Sequence, residues 1–171
     1  MSQARVGILM GSDSDFPVME EALNVLESFG ITAEVVVTSA HRCPARTSEY
    51  ARSARERGLE VIIVGAGAAA HLGGVVAAET TLPVVAVPID ATSLRGVDAL
   101  YATVMMPGGI PVACMAIGKA GAKNAGLFVV AMFASKDPEL AKLLDEYRQK
   151  MAAAVEEKSL RLQRKLAERT V

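Results

Sequence analysis

Aromatic side chains make up only 4% of the 171 residues, and tryptophan is missing altogether. That removes the stacking platforms on which single-stranded nucleic acids are held. An excess of one charge is lacking too. The chain carries 18 Lys and Arg against 19 Asp and Glu, a formal net charge of −1, so the overall balance points to neither nucleic acid nor an anionic membrane. Two cysteines, Cys43 and Cys114, are too few for a disulfide framework. No CxxC or HExxH spacing occurs, and no structural metal is expected. No apolar run reaches the ~18 residues of a membrane span. The first residues lack the basic stretch and long apolar core of a signal peptide, so a cytoplasmic protein is expected. Neither GxGxxG nor GxxxxGK[ST] is present, which removes the standard dinucleotide and nucleoside-triphosphate cradles.

What is there is a globular composition, 51% hydrophobic and 22% charged, of a length that suits one domain. Short apolar runs alternate with helix-like segments. Strands are expected at Arg5–Met10, Ala33–Thr38, Glu60–Val64, Pro83–Val87 and Val112–Ile117. The first helix opens at Pro17 and stops at Gly30, with Val18, Ala22, Val25, Leu26 and Phe29 at helical spacing. The second runs from Ala45 to Arg57 with Tyr50, Ala51 and Ala54 inward. Further helices fit Leu72–Glu79, Val97–Met105 with Leu100, Val104 and Met105 on one face, and the stretch up to Ser135. Buried strands joined by helical crossovers make a parallel, doubly wound α/β sheet of about five strands.

The last segment differs. From Asp137 to about Arg169 it favours helix, with Leu140, Leu143, Leu144, Tyr147, Met151 and Val155 as an apolar stripe. A helix of about 32 residues is roughly 48 Å long, whereas a body of about 136 residues spans only about 35–40 Å. The expectation is one domain over 1–171, of which 137–171 is a helical arm covered by neighbouring subunits. Bending or fraying beyond Ala154 is the plainer alternative.

The chemistry is expected in three loops at the carboxyl ends of strands, where open α/β sheets bind their ligands. GSDSD (Gly11 to Asp15) offers a helix N-terminus to an anion, Ser12 to a phosphate and Asp15 to ribose hydroxyls, unless Ser14 or Asp15 merely caps the helix. SAHRCP (Ser39 to Pro44) carries His41 and Arg42. The arginine is a planar fork for a phosphate or carboxylate, sited where the helix dipole disfavours a cation without an anionic partner. GAGAAAHLGG (Gly65 to Gly74) carries His71, the only other histidine. Two imidazoles on neighbouring loops suggest one site that moves protons, although structural histidines are the commoner kind. Cys43 has no evident orienting partner for a nucleophilic role. Lys119 and Lys123 read as surface lysines.

Taken together, GSDSD, SAHRCP, GAGAAAHLGG and LRGVDALYATVMMPGGIPVACMAIGKAGAKNAG closely resemble the PurE family, the N5-carboxyaminoimidazole ribonucleotide mutases of purine biosynthesis. The likeness runs from about Val6 to Met151. It implies a flavodoxin-like three-layer fold, an octamer with C-terminal helices embracing neighbours, and no metal or organic cofactor. It also implies transfer of a carboxylate from the exocyclic nitrogen to carbon 4 of the imidazole. By the same likeness His41 is the acid/base, Ser12, Asp15 and Arg42 bind the ribonucleotide, and His71 lies close to the transferring carboxylate. His41 and His71 are therefore the candidate catalytic residues. Gly11, Ser12, Asp15, Ser39, Ala40, Arg42, Gly67, Ala68 and Leu72 are the candidate substrate contacts. The chain departs from the family pattern at Cys43, usually threonine, and in reading GAGAAAHLGG and MMP for GAGGAAHLPG and QMP.

Two other readings compete. A related carboxylase makes the same product from aminoimidazole ribonucleotide and free carbon dioxide, but its branch resembles AHK and lacks the second-loop histidine, so Arg42 and His71 favour the mutase. A non-catalytic flavodoxin-like module is the other. A receiver-type domain wants an aspartate where the third strand ends Val64-Gly65-Ala66, and a flavoprotein wants aromatic residues to sandwich its ring.

Overall fold

A computed structural model describes residues 3–169. Its centre is a sheet of five parallel strands in the order β2-β1-β3-β4-β5. These are β1 (Val6–Met10), β2 (Ala33–Val37), β3 (Val61–Gly67), β4 (Val84–Ile89) and β5 (Ala113–Cys114). The helices are α1 (Phe16–Ser28), α2 (Pro44–Ser53), α3 (Leu72–Glu79), α4 (Val97–Val104), α5 (Lys119–Ala134) and α6 (Pro138–Ala167), and a single 3-10 turn covers Asp13–Asp15. The fold is the flavodoxin-like α/β arrangement. Strand order reverses between β1 and β3, and the crevice beyond their carboxyl ends is the topological switch point at which such sheets take ligands.

The central strands form because β1, β3 and β4 are apolar runs buried on both faces, as parallel strands under helices must be. Alternation sends Leu9, Ile62 and Val64 to one face, where they meet Ala51 and Ala54 of the α2 segment and Leu72 and Val76 of α3. Ile8 and Ile63 take the opposite face and are fully buried. Each such side chain contributes roughly 1.5–3 kcal/mol through removal from water. Two strand glycines exist for close approach. A Cβ on Gly7 would collide with the Tyr50 hydroxyl of α2, and one on Gly65 would lie 2.7 Å from Met19 Cγ of α1. Register then levels the loops. Met10 stands beside Val37 on one side and Gly65 on the other, so the first three loops leave the sheet at one height.

Several boundaries differ from expectation, each for a physical reason. β3 continues through Gly65-Ala66-Gly67, because all three residues pair with β4; the loop shrinks to Ala68–His71. β5 is reduced to a two-residue edge pairing with Val85 and Ala86. In α1 it is Met19 that is fully buried, while Val18 is half-buried. In α4 the small Ala99 and Thr103 turn inward, leaving Val97, Tyr101, Val104 and Met105 exposed.

The chain separates into two compact units, one running to Val129 and one beginning at Val130. The sheet and its loops belong to the first. In the second, α6 is a continuous helix of 30 residues, about 45 Å long. Asp137 starts it by accepting from the N–H groups of Glu139 and Leu140 at 3.1 Å each, with Pro138 in the first turn. Leu140 is buried, whereas Leu143, Met151, Val155, Leu160, Leu162 and Leu166 are exposed.

Candidate active site at the switch point

The first loop folds on itself before α1 begins. Ser12 caps the 3-10 turn, its Oγ accepting from Ser14 N at 3.3 Å, and Asp15 Oδ2 accepts from Ser12 N at 3.2 Å, a reciprocal capping box. Asp15 does stand at the N-cap of α1, but its carboxylate closes this box instead of capping that helix, and Ser14 caps neither element. Burial pushes the Asp15 carboxyl above its ordinary value and Asp13 adds to this, while the Ser12 N–H pulls the other way.

The second loop is closed by small polar groups. Cys43 Sγ accepts from Ser39 N at 3.1 Å and donates to Ser39 O at 3.2 Å. Thr38, nearly fully buried, joins Thr47 through their hydroxyls at 2.8 Å. Ser39 Oγ accepts from Arg42 N at 3.2 Å and from Arg42 Nε at 3.5 Å, and Arg42 Nη2 donates to Gly11 O at 3.2 Å. One guanidinium therefore ties the second loop to the first. The Thr38 hydroxyl and the Ser39 N–H hold the Cys43 thiol below its usual range, with a smaller pull from Arg46.

The third loop is tight. Ala70 N donates to Ala68 O at 2.9 Å and His71 N to Ala69 O at 2.8 Å, and Ala68 is held at φ 51°, the left-handed region that favours glycine. Gly67 is needed for a different reason. A Cβ there would lie 2.5 Å from the Ala91 Cβ and 3.1 Å from Ile89 O. His71 then opens α3, its carbonyl accepting from Val75 N at 3.0 Å.

These loops bring the two histidines into direct contact. His41 Nε2 lies 2.9 Å from His71 Nδ1, the rings edge to face with centroids 5.0 Å apart. Such a contact requires one nitrogen to carry hydrogen and the other a lone pair, so the pair cannot hold it with both rings charged. Beside it opens a cavity of about 460 Å³. Every other candidate residue named from the sequence lines that cavity, and His71 stands beside it in contact with His41. Ser14, Ala66, Ala69 and Ala91 also line it and were not foreseen. Ala91 follows β4 at the same sheet edge, and that position was the available signal. Gly11, Ser12, Ser39 and Arg42 are shared with a side chamber of about 310 Å³. Among the described residues, no group of three His, Cys, Asp or Glu side chains is gathered closely enough to hold a metal ion.

Fold and cavity together define a flavodoxin-like α/β protein with a main-chain-rich ligand site at its switch point. Residues 5–154 match the family model described as AIR carboxylase, and the chain belongs to that family. It is 53% identical over 159 residues to the N5-carboxyaminoimidazole ribonucleotide mutase of Thermotoga maritima, covering 93% of this chain and 92% of that one. It is 50% identical over 157 residues to the enzyme of the same name from Bacillus subtilis, covering 92% and 97%. Among solved structures it is similar to Treponema denticola PurE, with TM-score 0.80 and 29% identity over 89% of this chain and 94% of that one. Among the described residues no helix is long and apolar enough to cross a membrane.

Proposed function

We propose that the protein is an N5-carboxyaminoimidazole ribonucleotide mutase of purine biosynthesis, acting in the cytoplasm as a homo-oligomer. One observation carries this reading: a pair of histidines in hydrogen-bond contact at the wall of a single cavity, with an arginine fork on the adjoining loop. His41 serves as acid and base. It protonates the exocyclic carbamate nitrogen, and the nitrogen–carbon bond breaks to release carbon dioxide and aminoimidazole ribonucleotide. Carbon 4 of the ring attacks the held carbon dioxide, and neutral His41 removes the proton from carbon 4 to restore aromaticity. One proton is given to the exocyclic nitrogen and one is taken from carbon 4, so His41 ends as it began and no net transfer to solvent is needed.

His71 works beside His41. Its Nδ1, in hydrogen-bond contact with His41 Nε2, fixes which His41 nitrogen faces the cavity and shares the mobile proton, and the likeness to the PurE family puts it close to the transferring carboxylate. Ser12, Asp15 and Arg42 bind the ribonucleotide, Arg42 as a charge-assisted fork. Gly11, Ser39, Ala40, Gly67, Ala68 and Leu72 close small side chains and main chain around the base, favouring proximity and exclusion of water over covalent catalysis. No organic cofactor or metal takes part in these steps.

Oligomerisation draws support from the exposed apolar stripe on α4, where Tyr101 is 63% and Met105 77% exposed, and from the exposed apolar positions of α6. The likeness to the PurE family supports an octamer as the proposed assembly, which light scattering on the purified chain would measure.

The direct test of the activity is incubation with N5-carboxyaminoimidazole ribonucleotide and measurement of the 4-carboxy product. Turnover without added bicarbonate is expected. Use of aminoimidazole ribonucleotide plus bicarbonate alone, with no use of the carbamate, would assign the related carboxylase instead.

A further inference from the structure

Behind the second loop, two threonine hydroxyls meet where a core would ordinarily be apolar. Thr47 of α2 is fully buried, and Thr38, directly after β2, is 2% exposed. Their oxygens lie 2.8 Å apart. Thr47 Oγ1 also donates to Cys43 O at 3.2 Å, and Thr38 Oγ1 lies 3.5 Å from Cys43 Sγ. The bond back to the carbonyl one turn earlier is what helical threonines ordinarily make. The bond to Thr38 is not local. It spans the second loop, since Thr38 is the loop's entry and Cys43, at the N-cap of α2, is its exit. Valine would fill the same space with no polar atom to satisfy, so a buried hydroxyl pair at this point calls for a reason. The pair is a clasp across the base of the loop that carries His41 and Arg42.

We infer that Thr47 is a positioning residue for the proposed reaction, its hydroxyl holding the two ends of the second loop together so that His41 stays in register with His71 and the cavity. The two functional groups on that loop depend on the clasp unequally. Arg42 is anchored from outside the loop, its Nη2 donating to Gly11 O at 3.2 Å. His41 has no such second anchor, because among the described residues its ring bonds only His71 Nδ1, at 2.9 Å. Opening the base of the loop therefore shifts the imidazole more than the guanidinium. A reacting group misplaced by about 1 Å costs about 10²-fold in rate. The loss of one clasp between main-chain bonds that remain, such as Cys43 N to Ser39 O at 2.9 Å, falls short of that.

This rests on the mutase reading, and two measurements keep the two apart. Steady-state kinetics of the full chain with N5-carboxyaminoimidazole ribonucleotide would compare wild type with Thr47→Val, which removes the hydroxyl and keeps the shape, and with Thr47→Ser, which keeps the hydroxyl. The expected result for Thr47→Val is a kcat lowered about tenfold with KM within about twofold, and Thr47→Ser should recover most of the rate. Thr38→Val removes the other end of the same bond and should lower kcat likewise, so it carries the test if Thr47→Val does not fold. The second measurement needs no substrate. His41 and His71 are the only histidines, so the rate at which diethyl pyrocarbonate modifies histidine reads their contact, and either valine variant should raise it severalfold. An unchanged kcat in the valine variants, an equal loss in Thr47→Ser, or an unchanged histidine reactivity would each overturn the assignment. If wild type itself did not turn over the carbamate, the mutase reading would fall, and histidine reactivity alone would decide on Thr47.

Discussion

The two ends of the sheet treat charge in opposite ways. Around its amino edge three arginines are matched by glutamates, while Arg55 bonds the Thr81 hydroxyl. Arg5 Nε lies 2.5 Å from Glu60 Oε1, Arg57 Nη1 2.5 Å from Glu34 Oε1, and Arg57 also stacks 4.5 Å above the Tyr50 ring. Arg52 is paired likewise with Glu79 at 2.7 Å. At the carboxyl edge, Arg42 bonds only neutral oxygens, Arg46 has no ion pair among the described residues, and two histidines bond each other. Paired charges stabilise the fold a little; charges left facing a cavity are placed for something that arrives. The contrast marks the site as clearly as the cavity does.

The largest break in that contrast comes from His41→Ala. A positioned acid/base is worth about 10²–10⁴-fold in rate, so turnover should fall at least that far while circular dichroism and the thermal midpoint stay close to wild type. Next comes Arg42→Ala. Charge-assisted hydrogen bonds are worth about 1.5–3 kcal/mol, so KM should rise about 10- to 100-fold. Arg42 also ties the first loop to the second, so saturating substrate should restore only part of the rate.

Gly67→Ala probes packing instead of charge. Its new Cβ would meet Ala91 at 2.5 Å, and overpacking of this kind costs about 1–3 kcal/mol, which denaturant unfolding would read. The smallest effect belongs to the amino edge. Burial pushes Glu34 upward, but the Tyr50 hydroxyl and Arg57 outweigh it and leave the carboxyl below 4.5. A depressed folded value means the stability it adds is present above pH 4.5 and is lost as pH falls through that lower value. Glu34→Gln should remove this part of the acid dependence, under about 1 kcal/mol because both partners are partly exposed. If Glu34→Gln proved more damaging to turnover than Arg42→Ala, the contrast between the two ends would be wrong.

Much of this was legible in the chain itself. Apolar runs such as Val61-Ile62-Ile63-Val64 declare buried parallel strands, and Leu72–Glu79 is a helix at the expected bounds, although Gly73 and Gly74 stand in its first turn. Loops between such elements must share one sheet edge, so His41 and His71 could be brought near each other without coordinates. What stayed hidden depends on contacts distant in sequence. Gly65–Gly67 reads as loop by composition, yet pairing with β4 makes it strand. Val104 and Met105 look like core, yet Thr103 can turn inward by donating its hydroxyl to Ala99 O at 2.7 Å, which leaves them exposed. That His41 and His71 touch at 2.9 Å, rather than merely share an edge, is seen only in the fold.

In the proposed reaction carbon dioxide is released and recaptured without leaving a cavity whose proton traffic runs through His41. Turnover of substrate carrying 13C in its carbamate carboxyl, in excess unlabelled bicarbonate, tests it most directly. Retention of the label in the 4-carboxylate of the product is the predicted result. Product carrying the isotope ratio of the bulk bicarbonate would contradict it.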